Sequence, residues 1–129
     1  MPKRILIIDD EPGILTALTI RLQASGFDIS AERDGQSGLR AAKEILPHVI
    51  LLDIRLPDMP GFDVCRRLKA IPQLAHVPII FLTANVKDVA RHQAEEVGGA
   101  AFLSKPFEAS DVLAAIDSVI QDERVSTSD

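Results

Sequence analysis

Four short stretches of the chain carry side chains that could do chemistry: Asp9-Asp10-Glu11, Asp53, Thr83 and Ser104-Lys105-Pro106. They follow directly on the apolar runs 5–8, 49–52, 79–82 and 100–103. A fifth run, 27–31, ends less pointedly in Glu32-Arg33. If these stretches meet, three aspartates, a hydroxyl and an ammonium share one place. Asp9, Asp10 and Asp53 cannot all stay ionised in close contact unless a cation neutralises them. Oxygen ligands without His or Cys suit a hard cation such as Mg2+, held by carboxylates plus water. Lys105, facing the acids, suits an anionic oxygen. Phosphate meets both needs, with the metal on one side and Lys105 and Thr83 on the other. An aspartate beside a divalent metal can act as the nucleophile that forms an aspartyl phosphate. Positioning and charge neutralisation do most of the work in such transfers.

Taken singly, each of these residues has a plainer role. An aspartate at the end of a strand commonly caps a helix or makes a turn. Asp10 and Glu11 would suit the N-terminal dipole of a first helix, and a lone lysine is usually solvated. Cys65 shares helical spacing with Phe62 and Leu68, which reads as core. His48 and His76 precede apolar runs and belong at the far end of the strands, and His92 falls inside a helical stretch. No nucleophile–base pair for an external substrate is visible. What favours chemistry is the convergence of four separate loops.

The elements that must position these loops follow from periodicity. Between the runs lie stripes of helical spacing: Ile14, Leu18 and Leu22; Leu39, Ala42 and Ile45; Phe62, Cys65 and Leu68; Val86, Val89 or Ala90, Ala94 and Val97; Val112, Ile116 and Val119. Pro12 suits a first helical turn and Gly26 the end of that helix. Asp34 is placed to cap the second helix, and Pro47 to stop it. Pro72 marks the end of the third and Gly98-Gly99 the end of the fourth. The order is β-α five times over, which predicts a parallel sheet with right-handed crossovers and helices on both faces. Runs one, three and four are continuously apolar, as central parallel strands should be. Run two alternates, so it belongs at an edge. That favours a flavodoxin-like (βα)5 fold with strand order 2-1-3-4-5, whose ligands bind outside the carboxyl ends of the strands.

Composition bounds the reading. The 129 residues, 47% hydrophobic and 26% charged, suit one domain with a real core. No apolar run approaches membrane-spanning length, and the N-terminus lacks the features of a signal peptide. The single cysteine suits a reducing compartment. A net charge of −5 without a basic block argues against this domain gripping nucleic acid.

These residues resemble the receiver domain of bacterial two-component response regulators. The resemblance covers residues 3–120 and rests on four motifs in order. They are Ile7-Ile8-Asp9-Asp10-Glu11-Pro12, then Leu52-Asp53-Ile54-Arg55-Leu56-Pro57-Asp58-Met59-Pro60-Gly61, then Phe81-Leu82-Thr83-Ala84, and Phe102-Leu103-Ser104-Lys105-Pro106-Phe107. The resemblance implies a receiver over 3–121, with 122–129 as a polar, fraying tail or the start of a linker. It makes Asp53 the phosphoacceptor. Asp10, Asp53 and the backbone carbonyl of Arg55 would hold Mg2+, with Asp9 acting through a metal-bound water. Lys105 would pair with one phosphoryl oxygen and Thr83 with another. Phe102 would be the switch aromatic that turns inward as Thr83 moves, and the Lys105–Pro106 peptide would be cis.

It further implies a cytoplasmic protein that takes its phosphoryl group from a histidine kinase or a histidine phosphotransfer protein. The change would be read by the face of the fourth helix, fifth strand and fifth helix, where Lys87, Arg91, His92 and Glu95 are exposed candidates for partner contact. The reader would be a downstream protein or an attached output domain, and two copies could pair through that face. Phe102 stands where tyrosine is frequent, and Ala100-Ala101 replaces residues that are often acidic. Arg55 and Asn85 occupy flanking positions linked in the family to phosphoryl lifetime. Two other functions compete. One is a phosphohydrolase with an aspartate nucleophile, disfavoured because Arg55 stands where its second acid should be. The other is a receiver-like interaction module that no longer uses phosphate.

Overall fold

The computed structural model describes residues 2–84 and 98–127. Five strands, β1 (Arg4–Ile8), β2 (Asp28–Glu32), β3 (Val49–Asp53), β4 (Ile79–Thr83) and β5 (Ala101–Ser104), pair in parallel in the order β2-β1-β3-β4-β5. Four helices lie among the described residues: α1 (Pro12–Ala24), α2 (Gly35–Ile45), α3 (Gly61–Lys69) and α4 (Ala109–Thr127). The stripe at 86–97, with Asn85 and the partner candidates Lys87, Arg91, His92 and Glu95, lies outside the described residues. The helix labelled α4 is therefore the fifth one expected from periodicity.

Side-chain alternation along the strands splits the core in two. Leu6, Ile8, Ile50, Leu52, Ile79 and Phe81 face Leu39 of α2 and Phe62, Cys65 and Leu68 of α3. Ile5, Ile7, Val49, Leu51, Ile80 and Leu82 face Leu15, Leu18 and Leu22 of α1 and Val112 and Ile116 of α4. Because β1, β3 and β4 are covered on both sides, nearly all their residues are buried, which is why their sequences are continuously apolar. The edge strand β2 is only partly covered, and it alternates.

Local signals set the helix ends. Pro12 opens α1, and Gly26 follows its end with φ +95°, a conformation that suits glycine. The Asp34 carboxylate accepts the Ser37 N–H at 2.7 Å, capping α2. Leu46 closes α2 at φ +49°, just ahead of Pro47. One boundary differs from expectation. α3 stops at Lys69, ahead of Pro72, because residues 68–77 close into successive tight turns and the Lys69 ammonium donates to the carbonyls of Ala75 and Val77. α4 runs to Thr127, so the first residues of the polar segment 122–129 are helical. No glycine or proline interrupts residues 109–127, and nothing in that stretch terminates a helix.

Candidate functional site

The parallel register brings the carboxyl ends of β1, β3, β4 and β5 to one edge of the sheet. Asp53 is paired beside Leu82, and Thr83 beside Ser104. The Asp9 N–H donates to the Glu32 carbonyl at 3.1 Å, extending β1 past its last ladder residue. The Lys105 N–H donates to the Thr83 carbonyl at 2.6 Å, which fixes where the Lys105 side chain starts. Asp10, Glu11, Asp53, Arg55, Leu56, Pro57, Thr83, Ala84 and Lys105 line an open cleft of about 770 Å³. The sequence-predicted residues Asp10, Asp53, Thr83 and Lys105 thus meet in one place, with Arg55 on the wall.

Asp9 and Asp53 are 0% and 5% exposed, respectively, so their charges are expensive to hold without compensation. Asp9 Oδ1 accepts the Glu11 N–H at 2.9 Å, and Asp53 Oδ1 accepts the Arg55 N–H at 3.1 Å. The Lys105 ammonium lies 2.7 Å from Glu11 Oε1, 2.9 Å from Asp9 Oδ2 and 3.3 Å from Asp53 Oδ2. Asp9 Oδ2 is buried and has this ion pair but no aligned hydrogen bond. Burial is the main force raising the Asp53 carboxyl to about 6, with the Asp9 charge adding to it. The Arg55 N–H and the Lys105 ammonium pull in the opposite direction. Burial alone would depress Lys105, but Glu11, Asp9 and Asp53 outweigh it and hold the ammonium above its ordinary range.

Asp9, Asp10 and Asp53 each offer an oxygen, and these three lie within 4.8 Å of one another. The carboxylates of Asp9, Glu11 and Asp53 share one ammonium, and Asp10 stands beside Asp9 and Asp53. The surplus negative charge, the buried Oδ2 of Asp9 and the all-oxygen donor set fit a hard divalent cation. Among the described residues, no His or Cys joins this group.

The wall that carries Arg55 is a tight loop between β3 and α3. The Gly61 N–H donates to the Ile54 carbonyl at 2.7 Å, and Arg55 bridges Pro60. A Cβ at Gly61 would overlap the Asp53 carbonyl oxygen, so only glycine permits this approach. Phe102 is half-buried on β5, with its ring centroid 6.2 Å from that of Phe81. The Lys105–Pro106 peptide is cis.

The remaining candidates lie elsewhere. His48 Nδ1 accepts the Arg4 N–H at 2.9 Å, at the opposite edge of the sheet. Cys65 is fully buried among core side chains. Glu11 does not act as a side-chain cap for α1, because its carboxylate turns to Lys105. That role was hidden in the sequence by a separation of 94 positions. Asp58 carries a second concealed contact, reaching across to the first amides of α2. Neither contact follows a local spacing rule.

Comparison with known proteins agrees with this geometry. The family model described as "Response regulator receiver domain" matches residues 5–117. The DNA-binding response regulator MtrA of Mycolicibacterium smegmatis is 40% identical over 116 residues, covering 90% of this chain and 50% of that protein. The chain spans about half the length of the curated relatives it matches. The chemotaxis response regulator CheY4 of Vibrio cholerae superposes with a TM-score of 0.88 at 26% identity, over 92% of this chain and 99% of that one. The receiver domain of the sensor histidine kinase PA1611 from Pseudomonas aeruginosa, solved with a magnesium ion coordinated in its active-site cleft, gives a TM-score of 0.86 at 29% identity. That match covers 94% of this chain and 99% of the other. Among the described residues, no helix is long and apolar enough to cross a membrane. The fold, the acidic edge and the family match over 5–117 agree, and the chain belongs to the response regulator receiver domain family.

Proposed function

We propose that this domain accepts a phosphoryl group on Asp53 from a phosphohistidine and uses it as a regulatory signal. The observation that carries the reading is the placement of Asp53. Its carboxylate borders the cleft 3.3 Å from the Lys105 ammonium, with carboxylate oxygens of Asp9 and Asp10 within 4.8 Å. A carboxyl held at about 6 is still mostly ionised above pH 7, and an oxygen of Asp53 can attack phosphorus. The new O–P bond forms as the P–N bond to the donor imidazole breaks. The imidazole nitrogen keeps the bonding pair and takes up a proton.

Asp10, Asp53 and the Arg55 carbonyl would hold Mg2+, with Asp9 acting through water. The ion, when bound, offsets the charge that gathers on the phosphoryl oxygens. Lys105 leaves Glu11 to pair with one of those oxygens, and the Thr83 hydroxyl serves another. The new group adds about −1.5 to −2 of charge and three acceptor oxygens. These bias Thr83, and through it Phe102, between two arrangements. Output then passes to an attached domain or a separate protein, in keeping with relatives about twice as long. We read the protein as cytoplasmic, served by a histidine kinase or a histidine phosphotransfer protein.

Intact-mass spectrometry tests the reading. Incubation with a small-molecule phosphodonor and Mg2+ adds one phosphoryl group, and both Asp53→Ala and removal of the metal abolish the gain. A folded, Mg2+-binding protein that gains no mass from this donor or from a phosphohistidine protein would be a phosphate-independent module instead.

A further inference from the structure

We propose that Asp58 is a positioning residue for the cleft: it ties the tip of the β3–α3 loop to the first turn of α2 and so holds the Arg55 backbone in place. The inference rests in part on the reading of Asp53 and Mg2+ above. Its own basis is geometric. Asp58 Oδ1 accepts the Gly35 N–H at 2.8 Å, and Oδ2 accepts the Gln36 N–H at 2.9 Å. Asp34 already takes the Ser37 N–H through its side chain and the Gly38 N–H through its carbonyl. Three of the orphan amides that open α2, those of Gly35, Gln36 and Ser37, are therefore shared between a local cap and a carboxylate from another loop.

A second contact points the same way. A Cβ at Gly35 would stand 2.7 Å from Met59 Cγ and 2.9 Å from its sulfur, so the side chain next to Asp58 is seated against the same helical turn. The loop is closed at its base by the Gly61–Ile54 hydrogen bond and the Arg55–Pro60 bridge. Between base and tip, Leu56 and Pro57 form part of the cleft wall. A loop fixed at both ends has little freedom to move Arg55, whose N–H binds Asp53 and whose carbonyl is the proposed third protein ligand. An acid that only capped α2 would have no reason to sit on this loop. The arrangement links α2 to the reactive edge through the Asp58 carboxylate, with Met59 packed beside it.

The test compares Asp58→Ala with Asp34→Ala, which weakens the same helix end without touching the loop. Amide hydrogen exchange in metal-free protein is the first measurement. Asp58→Ala speeds exchange at Arg55 and Gly61 about tenfold relative to Asp34→Ala, after both are scaled to their global stabilities. Mg2+ binding by calorimetry is the second. Asp58→Ala raises the Kd about tenfold, as loss of an outer supporting group does at other metal sites, and Asp34→Ala changes it less than about twofold. Equal exchange at Arg55 in the two variants overturns the proposal, as does a wild-type Mg2+ Kd in Asp58→Ala. If the wild-type protein binds no Mg2+, the functional reading fails, and the exchange measurement still decides the role of Asp58.

Discussion

The Lys105 ammonium donates to Glu11 at 2.7 Å and stands farther, at 3.3 Å, from the carboxylate of Asp53. At rest, the cation that should meet a phosphoryl oxygen is held by an acid at the mouth of the cleft. The Glu11 side chain is 56% exposed, so this arm of the pair is worth less than about 1 kcal/mol. Glu11→Gln removes the competitor and leaves the buried arm to Asp9. Phosphorylation by a small donor should run about two- to fivefold faster at fixed Mg2+, with stability unchanged within about 0.5 kcal/mol. A slower reaction would mean that Glu11 helps recruit the cation, not that it competes for Lys105.

Removing Lys105 itself should be far more costly. Asp9 Oδ2 is buried and has no other partner among the described residues, so Lys105→Ala leaves a carboxylate uncompensated beside other acids. Breaking a buried pair from one side typically costs about 3–5 kcal/mol, and the open cleft reduces that to about 2–3 here. Chemical denaturation without metal should show the loss. Millimolar Mg2+ should restore part of it, because a ligand that binds only the folded state stabilises it. No Mg2+ rescue would indicate that the acids do not hold the ion.

Asp53 gives the metal-free protein a distinct pH dependence. Its folded-state carboxyl is raised from 3.8 to about 6, chiefly by burial. The unfolded chain releases that proton more readily, so this group favours folding below about pH 4, and the benefit fades as pH rises through 6. Asp53→Asn removes the ionised form. It should stabilise the metal-free protein at pH 8 by about 1–2 kcal/mol, less than the ~3 kcal/mol of the full shift because the cleft admits water. The gain should vanish by pH 4. Circular dichroism must report it, because the chain has no Trp and no Tyr. A gain independent of pH would point to packing, not charge.

Asp58 shifts in the opposite direction. Its slight desolvation raises its pKa, but the amides of Gly35, Gln36, Met59 and Asp58 itself outweigh that and leave it below the ordinary aspartate range. Its contribution is therefore present above about pH 4 and is lost as pH falls through the depressed folded value. In an NMR titration, the Gly35 and Gln36 amides should move with the Asp58 carboxyl, at a midpoint below 3.8. Amides that titrate with Asp34 instead would contradict the pairing.

How far the sequence disclosed all this depends on distance along the chain. Apolar runs buried on both faces announced β1, β3 and β4, and alternation marked β2 as an edge. Asp34 and Gly26 acted within their own helix ends, where spacing is informative. The meeting of Asp9, Asp53, Thr83 and Lys105 was legible because a parallel sheet brings every carboxyl end to one edge. The partners of Glu11 and Asp58 were not, because each lies across the fold and no periodicity encodes it. The stop of α3 at Lys69 was equally hidden, since it depends on turns that close only once the loop before β4 is packed. The helical course of residues 122–127 was not evident from their polar composition, although no glycine or proline interrupts them.

Gly61 offers the sharpest test of how backbone shape serves the cleft. Any Cβ there would overlap the carbonyl oxygen of Asp53, the proposed phosphoacceptor. Neither side can yield freely. Asp53 is locked in β3 beside Leu82, and the Gly61 N–H is bound to the Ile54 carbonyl. Gly61→Ala should cost about 2–4 kcal/mol and slow phosphorylation at least about tenfold in the molecules that remain folded. Gly13 in α1 is the control, because a Cβ there meets nothing within 4 Å. Gly13→Ala should stabilise the protein by about 0.5–1 kcal/mol and leave phosphorylation unchanged. Equal effects of the two substitutions would show that the loop can shift away from Asp53. The close approach of Gly61 would then be incidental to the site.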